Sequence, residues 1–186
     1  GETDQFHPEL TYDNHPVEPP CGPEEGYHVS EDIVDRSMDF IRDARSIRPD
    51  RPFFLYLAFG ATHSPHQAPP EFREKYRGRF DDGWDVVREQ WYRKQIEMGV
   101  IPEDTELAPR NPGVKPWDEL SENEKKFALR LQEAFAAMLD HTDHQVGRLI
   151  TFLEDMQQLD NTLIVVLSDN GASQEGGPTG VMDEFK

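Results

Sequence analysis

The stretch Thr162–Gly171, TLIVVLSDNG, decides how the rest of the chain is read. Leu163 to Leu167 is a continuous apolar run rich in β-branched residues, set between Asp160-Asn161 and Asp169-Asn170-Gly171, and it predicts a strand buried on both faces. Strands of that kind belong to open α/β sheets, whose ligands bind just outside the carboxyl ends. Asp169 and Asn170 stand at that end and offer a carboxylate and an amide oxygen, donors suited to a hard cation such as Ca²⁺ or Mg²⁺. The same residues also suit a plain turn, since Asp, Asn and Gly tolerate tight or left-handed backbone.

A second stretch of the same design shifts the balance. Phe53 to Phe59, FFLYLAF, is again an apolar strand pattern, introduced by Pro49, Arg51 and Pro52 and released by Gly60 into Ala61-Thr62-His63-Ser64-Pro65-His66. If the two strands run parallel in one sheet, His63, His66, Asp169 and Asn170 emerge on one rim although more than 100 residues separate the two pairs. That convergence is the argument for a site.

The bulk properties set limits. At 186 residues the chain suits one domain with a single core. Its net charge of −18 argues against nucleic acid or an anionic membrane as a partner, because both require clustered Lys and Arg. No apolar run approaches the roughly 18 residues of a membrane span. The opening GETDQFHPEL reads as neither a signal peptide nor a natural start. With 35% hydrophobic and 30% charged residues, much of the chain is expected in loops and surface helices. Cys21 is the single cysteine, so no internal disulfide forms. The compartment is left open between cytoplasm and periplasm.

Residues 1–29 read as an extended or irregular segment over the domain, with His7 and His15 on its surface. Ser30 is the expected N-cap of a helix through about Arg45, with Ile33/Val34, Ser37/Met38 and Ile41 on its apolar face. Short helices are expected over Glu71–Tyr76 and Trp84–Met98; Trp84, Val87 and Trp91 read as packing residues of the second. Four prolines between Val100 and Trp117 predict a long surface loop. Ser121 and Glu124 form a capping box that opens a helix of over 30 residues, to about Gln158. On that helix Asp140, His141, Asp143 and His144 read as a polar patch facing solvent or a loop, rather than as metal ligands through the Asp140/His144 spacing. Gly171–Gly180 is a glycine-rich loop without the Gly-Lys-Ser/Thr ending of a P-loop.

LSDNG at 167–171, preceded by LDNTLIVV and by DHQVGRLITFLED at 143–155, resembles the type I sulfatases of the alkaline phosphatase superfamily. So does PFFLYLAFGATHSPHQAP at 52–69, and the likeness extends over most of the chain. The resemblance implies an α/β fold, part of an alkaline phosphatase-like sandwich with a mostly parallel central sheet flanked by helices. It implies that Asp169 and Asn170 ligate an active-site Ca²⁺, with Mg²⁺ as the other candidate. It also implies that His63 hydrogen-bonds a small-molecule sulfate ester near its leaving oxygen, as a catalytic and substrate-binding residue, with His66 as a further substrate-binding candidate. The nucleophile of such enzymes is a formylglycine made from Cys or Ser in a C/S-x-P-x-R motif by a formylglycine-generating enzyme.

Cys21-Gly22-Pro23-Glu24-Glu25 begins like that motif, but Glu25 stands where Arg belongs and the position in the pattern is wrong, so Cys21 is expected to be an ordinary thiol. The paired acidic metal ligands and the substrate-pocket lysines have no counterpart. Residues 1–186 are therefore expected to be an internal portion of a single sulfatase catalytic domain, inactive alone and lacking the nucleophile segment and the C-terminal part. A phosphodiester or phosphonate monoester hydrolase of the same superfamily, and a non-catalytic cation-binding domain, are the alternatives.

Overall fold

In a computed structural model the chain is described at residues 4–168, 170–171 and 176–182. Leu10–Tyr12 (β1) and His15–Val17 (β2) pair antiparallel, Leu10 opposite Val17 and Tyr12 opposite His15. Asp13 and Asn14 both take positive φ, 48° and 65°, the backbone a two-residue hairpin turn requires and one that Asp and Asn tolerate. Tyr12 stacks on Phe40 with ring centroids 6.0 Å apart, which seats the hairpin on the first helix.

Four helices follow: Val29–Ile47 (α1), Pro70–Tyr76 (α2), Gly83–Glu97 (α3) and Glu122–Asp155 (α4). At 34 residues α4 is about 50 Å long and forms the axis on which α1 and α2 pack. Its capping box is present as read from the sequence: Ser121 N donates to Glu124 Oε2 at 2.8 Å and Glu124 N to Ser121 Oγ at 3.3 Å. The cap of α1 differs from the reading. His28 holds that position, its Nδ1 accepting from Ser30 N at 3.2 Å, while Ser30 is buried inside the first turn. The apolar face of α1 is as expected, with Val34, Ser37 and Ile41 buried. Ala68, Ala137 and Met138 form the buried centre, with Ala61, Phe72 and Tyr76 packed against it. Because Ala61 and Ala68 bracket the His63 loop, the core itself anchors the site.

The expected parallel sheet is not present among the described residues. Among the described residues the hairpin is the only hydrogen-bonded sheet. The segments 53–59 and 162–168 carry neither helix nor strand, and the side chains meant for a two-sided interior face solvent: Phe54 is 92% exposed, Leu163 90% and Val166 78%. The odd residues Phe53, Leu55, Leu57 and Phe59 are half-buried while Phe54, Tyr56 and Ala58 are exposed, which is the alternation of a strand covered on one face. A parallel strand needs neighbours for its backbone and layers on both sides for its side chains. The described residues supply one covered face to the first segment and no ladder to either.

Candidate functional site

Gly60 turns the chain out of the first apolar segment, and His63 N donates to the Gly60 carbonyl at 3.0 Å. Half-buried His63 donates through Nδ1 to the Ser64 carbonyl at 2.9 Å, which fixes the ring by its own neighbour. That bond leaves Nε2 as the acceptor of a neutral imidazole or the second donor of an imidazolium. His66 is held differently: Nε2 donates to the Thr62 carbonyl at 3.2 Å, and the ring meets Phe135 of α4 edge to face with centroids 5.4 Å apart. His66 therefore braces the loop against α4.

Asp169 lies outside the described residues. Asn170 is exposed; its side-chain amide donates to the Gly171 carbonyl at 2.8 Å, and its own carbonyl accepts from Ser168 Oγ at 2.6 Å. Ser64, buried within the His63 loop, donates through Oγ to the Met182 carbonyl at 3.5 Å and so joins that loop to the segment 176–182. Gly180 takes a left-handed φ of +74° and lies against Leu131 of α4. Among the described residues no three His, Cys, Asp or Glu side chains come together as a metal-binding group. An amide and a carboxylate oxygen suit Ca²⁺ as two members of the six to eight it takes, so the donor chemistry fits a hard cation in part.

Behind the loop lies a buried polar seam that the sequence reading did not find. Gln67, three residues past Ser64, accepts from Gln5 N at 2.6 Å through Oε1 and donates to Asp4 Oδ2 at 3.0 Å. Its carbonyl accepts from His28 Nε2 at 3.3 Å. With Nδ1 accepting from Ser30 N, the His28 ring is held as the neutral tautomer. Burial pushes its pKa down to about 4, and the neighbouring His141 adds to the shift. The two rings meet at 4.4 Å.

His141 corrects the expected solvent-facing patch on α4, for it is 0% exposed. Its Nε2 lies 3.0 Å from Glu31 Oε1 and 3.1 Å from Gln145 Nε2, and its Nδ1 has no hydrogen-bond partner among the described residues. Burial lowers its pKa against the upward pull of Glu31. Arg148 continues the seam, bonding Gln145 Oε1 at 2.6 Å and Asp35 Oδ1 at 2.5 Å. His141, Gln145 and Arg148 at spacings of four and three, facing Glu31 and Asp35 at a spacing of four, are the signal in the sequence by which this polar helix interface could have been found. Asp140 is tied to Lys75 at 2.6 Å, and the His144 ring lies 5.8 Å from that of Phe72. Cys21 carries a free thiol, and Glu25 accepts from Gly22 N at 3.1 Å, closing the turn that the sequence shares with the modification motif.

Comparison with known proteins gives the setting. The sequence profile of the Sulfatase family matches residues 3–184. An uncharacterized sulfatase of Schizosaccharomyces pombe is 39% identical over 147 residues, covering 78% of this chain and 26% of its own. An arylsulfatase of Klebsiella aerogenes is 30% identical over 177 residues, 95% of this chain and 36% of its own. An arylsulfatase of Clostridium perfringens is 30% identical over 155 residues, 83% of this chain and 29% of its own. The chain thus spans about a quarter to a third of the length of these relatives.

Proposed function

The chain belongs to the sulfatase family, and from that membership we propose that it supplies the His63 loop and part of the metal site of an enzyme that hydrolyses sulfate esters. One observation carries the reading. The His63 loop, anchored in the core at Ala61 and Ala68, is tied through Ser64 to Met182, beyond Asn170 in the chain, which supports reading the two distant stretches as parts of one rim. These residues act as an internal portion of one catalytic domain. In the longer polypeptide further strands pair with 53–59 and 162–168 and complete a mostly parallel sheet.

His63 binds the ester. Its ring is oriented by the Nδ1 bond to the Ser64 carbonyl, and a hydrogen bond from the imidazole to the bridging oxygen would offset the charge that grows as the S–O bond breaks. His66 keeps the loop in register through Thr62 and Phe135. Asp169 and Asn170 would hold Ca²⁺, with Mg²⁺ the other candidate, as two of its oxygen donors. Such an ion would supply Lewis-acid polarisation of the sulfuryl oxygens, and a formylglycine installed by a formylglycine-generating enzyme at another position of the longer polypeptide would supply the nucleophile. The substrate is a small-molecule sulfate ester. Among the described residues no helix is long and apolar enough to cross a membrane.

The test uses the longest polypeptide that contains these residues, coexpressed with formylglycine-generating activity and supplied with Ca²⁺, assayed on an aryl sulfate and an aryl phosphodiester in parallel. Sulfate release is expected, with His63→Ala lowering kcat/KM about 100-fold or more and His66→Ala much less. The 186-residue chain alone is expected to release none. Preferential phosphodiester cleavage would assign the site to a phosphodiester hydrolase, and Ca²⁺ binding without turnover to a non-catalytic cation-binding domain. Equal effects of the two histidine variants would remove the role given to His63.

A further inference from the structure

The chain has three tryptophans, and all three line one cavity of about 390 Å³ between α3, the proline-rich loop and the N-terminal half of α4. The sequence reading treated Trp84 and Trp91 as packing residues. Val87 does pack, being buried, but Trp91 is 48% exposed and Trp84 and Trp117 are half-buried, so the rings form walls around space. Trp84 and Trp117 meet at 5.2 Å and 72°, and Phe80 and Trp91 at 6.4 Å and 85°. Two edge-to-face pairs give a guest both ring faces and ring edges. Gly83 makes this possible: its φ is +80°, and a Cβ would lie 2.3 Å from Trp117 Cγ, so only glycine lets that indole close the wall.

The polar lining has a definite sign. Asp85 is neutralised within the wall, its Oδ1 taking Arg110 Nε at 2.9 Å and its Oδ2 the Trp117 backbone N–H at 2.8 Å. Those bonds hold its carboxyl below the usual carboxylate range, so it stays ionised and paired. Arg88 also lines the cavity and reaches the Ala108 carbonyl at 2.6 Å through Nη2. In a chain of net charge −18, two guanidiniums against one fully engaged carboxylate make this a cationic, aromatic hollow.

We infer that this cavity is a binding site for a flat aromatic anion, whose ring lies among Trp84, Trp91 and Trp117 and whose acidic group meets Arg110 and Arg88. Its volume lies within the range of small-molecule sites. It shares no lining residue with the His63 loop, and the inference stands independently of the proposed hydrolysis.

The probe is naphthalene-2-sulfonate, titrated into the 186-residue chain by calorimetry, with 2-naphthol carrying the ring without the charge and sodium sulfate carrying the charge without the ring. Naphthalene-2-sulfonate is expected to bind with submillimolar Kd, 2-naphthol at least 5-fold more weakly, and sulfate not to compete. Naphthalene-2-carboxylate should bind within a few-fold of the sulfonate, since the arginines read the charge. Arg110→Gln and Trp91→Leu, each verified as folded by helical circular dichroism, are expected to weaken the sulfonate at least 5-fold, while His63→Ala leaves it unchanged. Absence of binding at 5 mM, equal binding of sulfonate and naphthol, or unchanged affinity in both cavity variants would overturn the inference. Loss of binding in His63→Ala would do the same by moving the ligand to the other site.

Discussion

The helices mix charged and apolar residues, the two segments 53–59 and 163–167 are wholly apolar, and their fates are the reverse of what composition alone suggests. In the body, α1, α2 and α4 bury Val34, Ile41, Ala137 and Met138 almost completely. In 53–59 and 162–168, residues at least as apolar lie open to solvent. The difference is in the backbone. A helix satisfies its own N–H and C=O groups and needs from its neighbours one covering face, which a 34-residue axis provides to α1 and α2. A strand satisfies neither backbone nor side chains alone. The chain therefore holds a packed helical layer carrying two apolar extended segments that have no strand to pair with among the described residues.

The largest expected effect falls on the helical side. Met138 is 0% exposed at the junction of α4 with Ala68 and the His63 loop. Met138→Ala should lower the unfolding free energy by about 2–5 kcal/mol, read from urea transitions followed by circular dichroism. A change under about 0.5 kcal/mol would mean that the helical layer has no cooperative core of its own, and the contrast with the open segments would break.

A second effect depends on pH. The folded-state pKa of His28 is about 4, against an ordinary value near 6.5. As pH falls, the unfolded chain takes up this proton first, so the folded state is fully stable above about pH 6.5 and loses stability between there and pH 4. For His28 the loss amounts to about 3 kcal/mol. His141, also held neutral by burial, adds in the same direction, and Glu31 and Glu71 oppose its shift while His144 reinforces it. Asp4 opposes the shift of His28. Urea midpoints at pH 7 and pH 5 should differ in the wild type and differ much less in His28→Gln. An equal difference in both would assign the acid sensitivity to other groups.

The helices were legible because periodicity and caps are local. Ser121 with Glu124, and the run Val34, Ser37, Ile41, needed nothing beyond a few neighbouring residues. The cap of α1 was misread because His28 outcompetes Ser30 only once the Gln67 carbonyl fixes its ring, a bond spanning 39 residues. His141 was misread for the same reason: a histidine beside Asp140 and Asp143 looks solvated until α1 brings Glu31 against it. The tryptophan cavity was hidden because spacing on α3 says which residues share a face, not that the proline-rich loop holds that face open. Of the candidate site, His63, His66 and Asn170 are placed, and His66 proves to be bound into the scaffold of the loop. Asp169 lies outside the described residues.

The smallest effect on stability sharpens the comparison most. Val165 is 68% exposed and Tyr56 83%. Val165→Thr keeps the β-branch and Tyr56→Thr introduces one, and both remove exposed apolar surface, so in the 186-residue chain each should change the unfolding free energy by less than about 0.5 kcal/mol. Self-association should respond instead, because unpaired apolar extended segments are templates for edge pairing. Sedimentation velocity should show more monomer in the double variant than in the wild type at the same concentration. In a longer polypeptide that completes the proposed sheet, the same substitutions should become clearly destabilising. The sign of that contrast is the test: a side chain that costs nothing here and much there belongs to a strand awaiting its partners, whereas equal, negligible effects in both would make 53–59 and 162–168 surface segments and remove the sheet from the proposed fold.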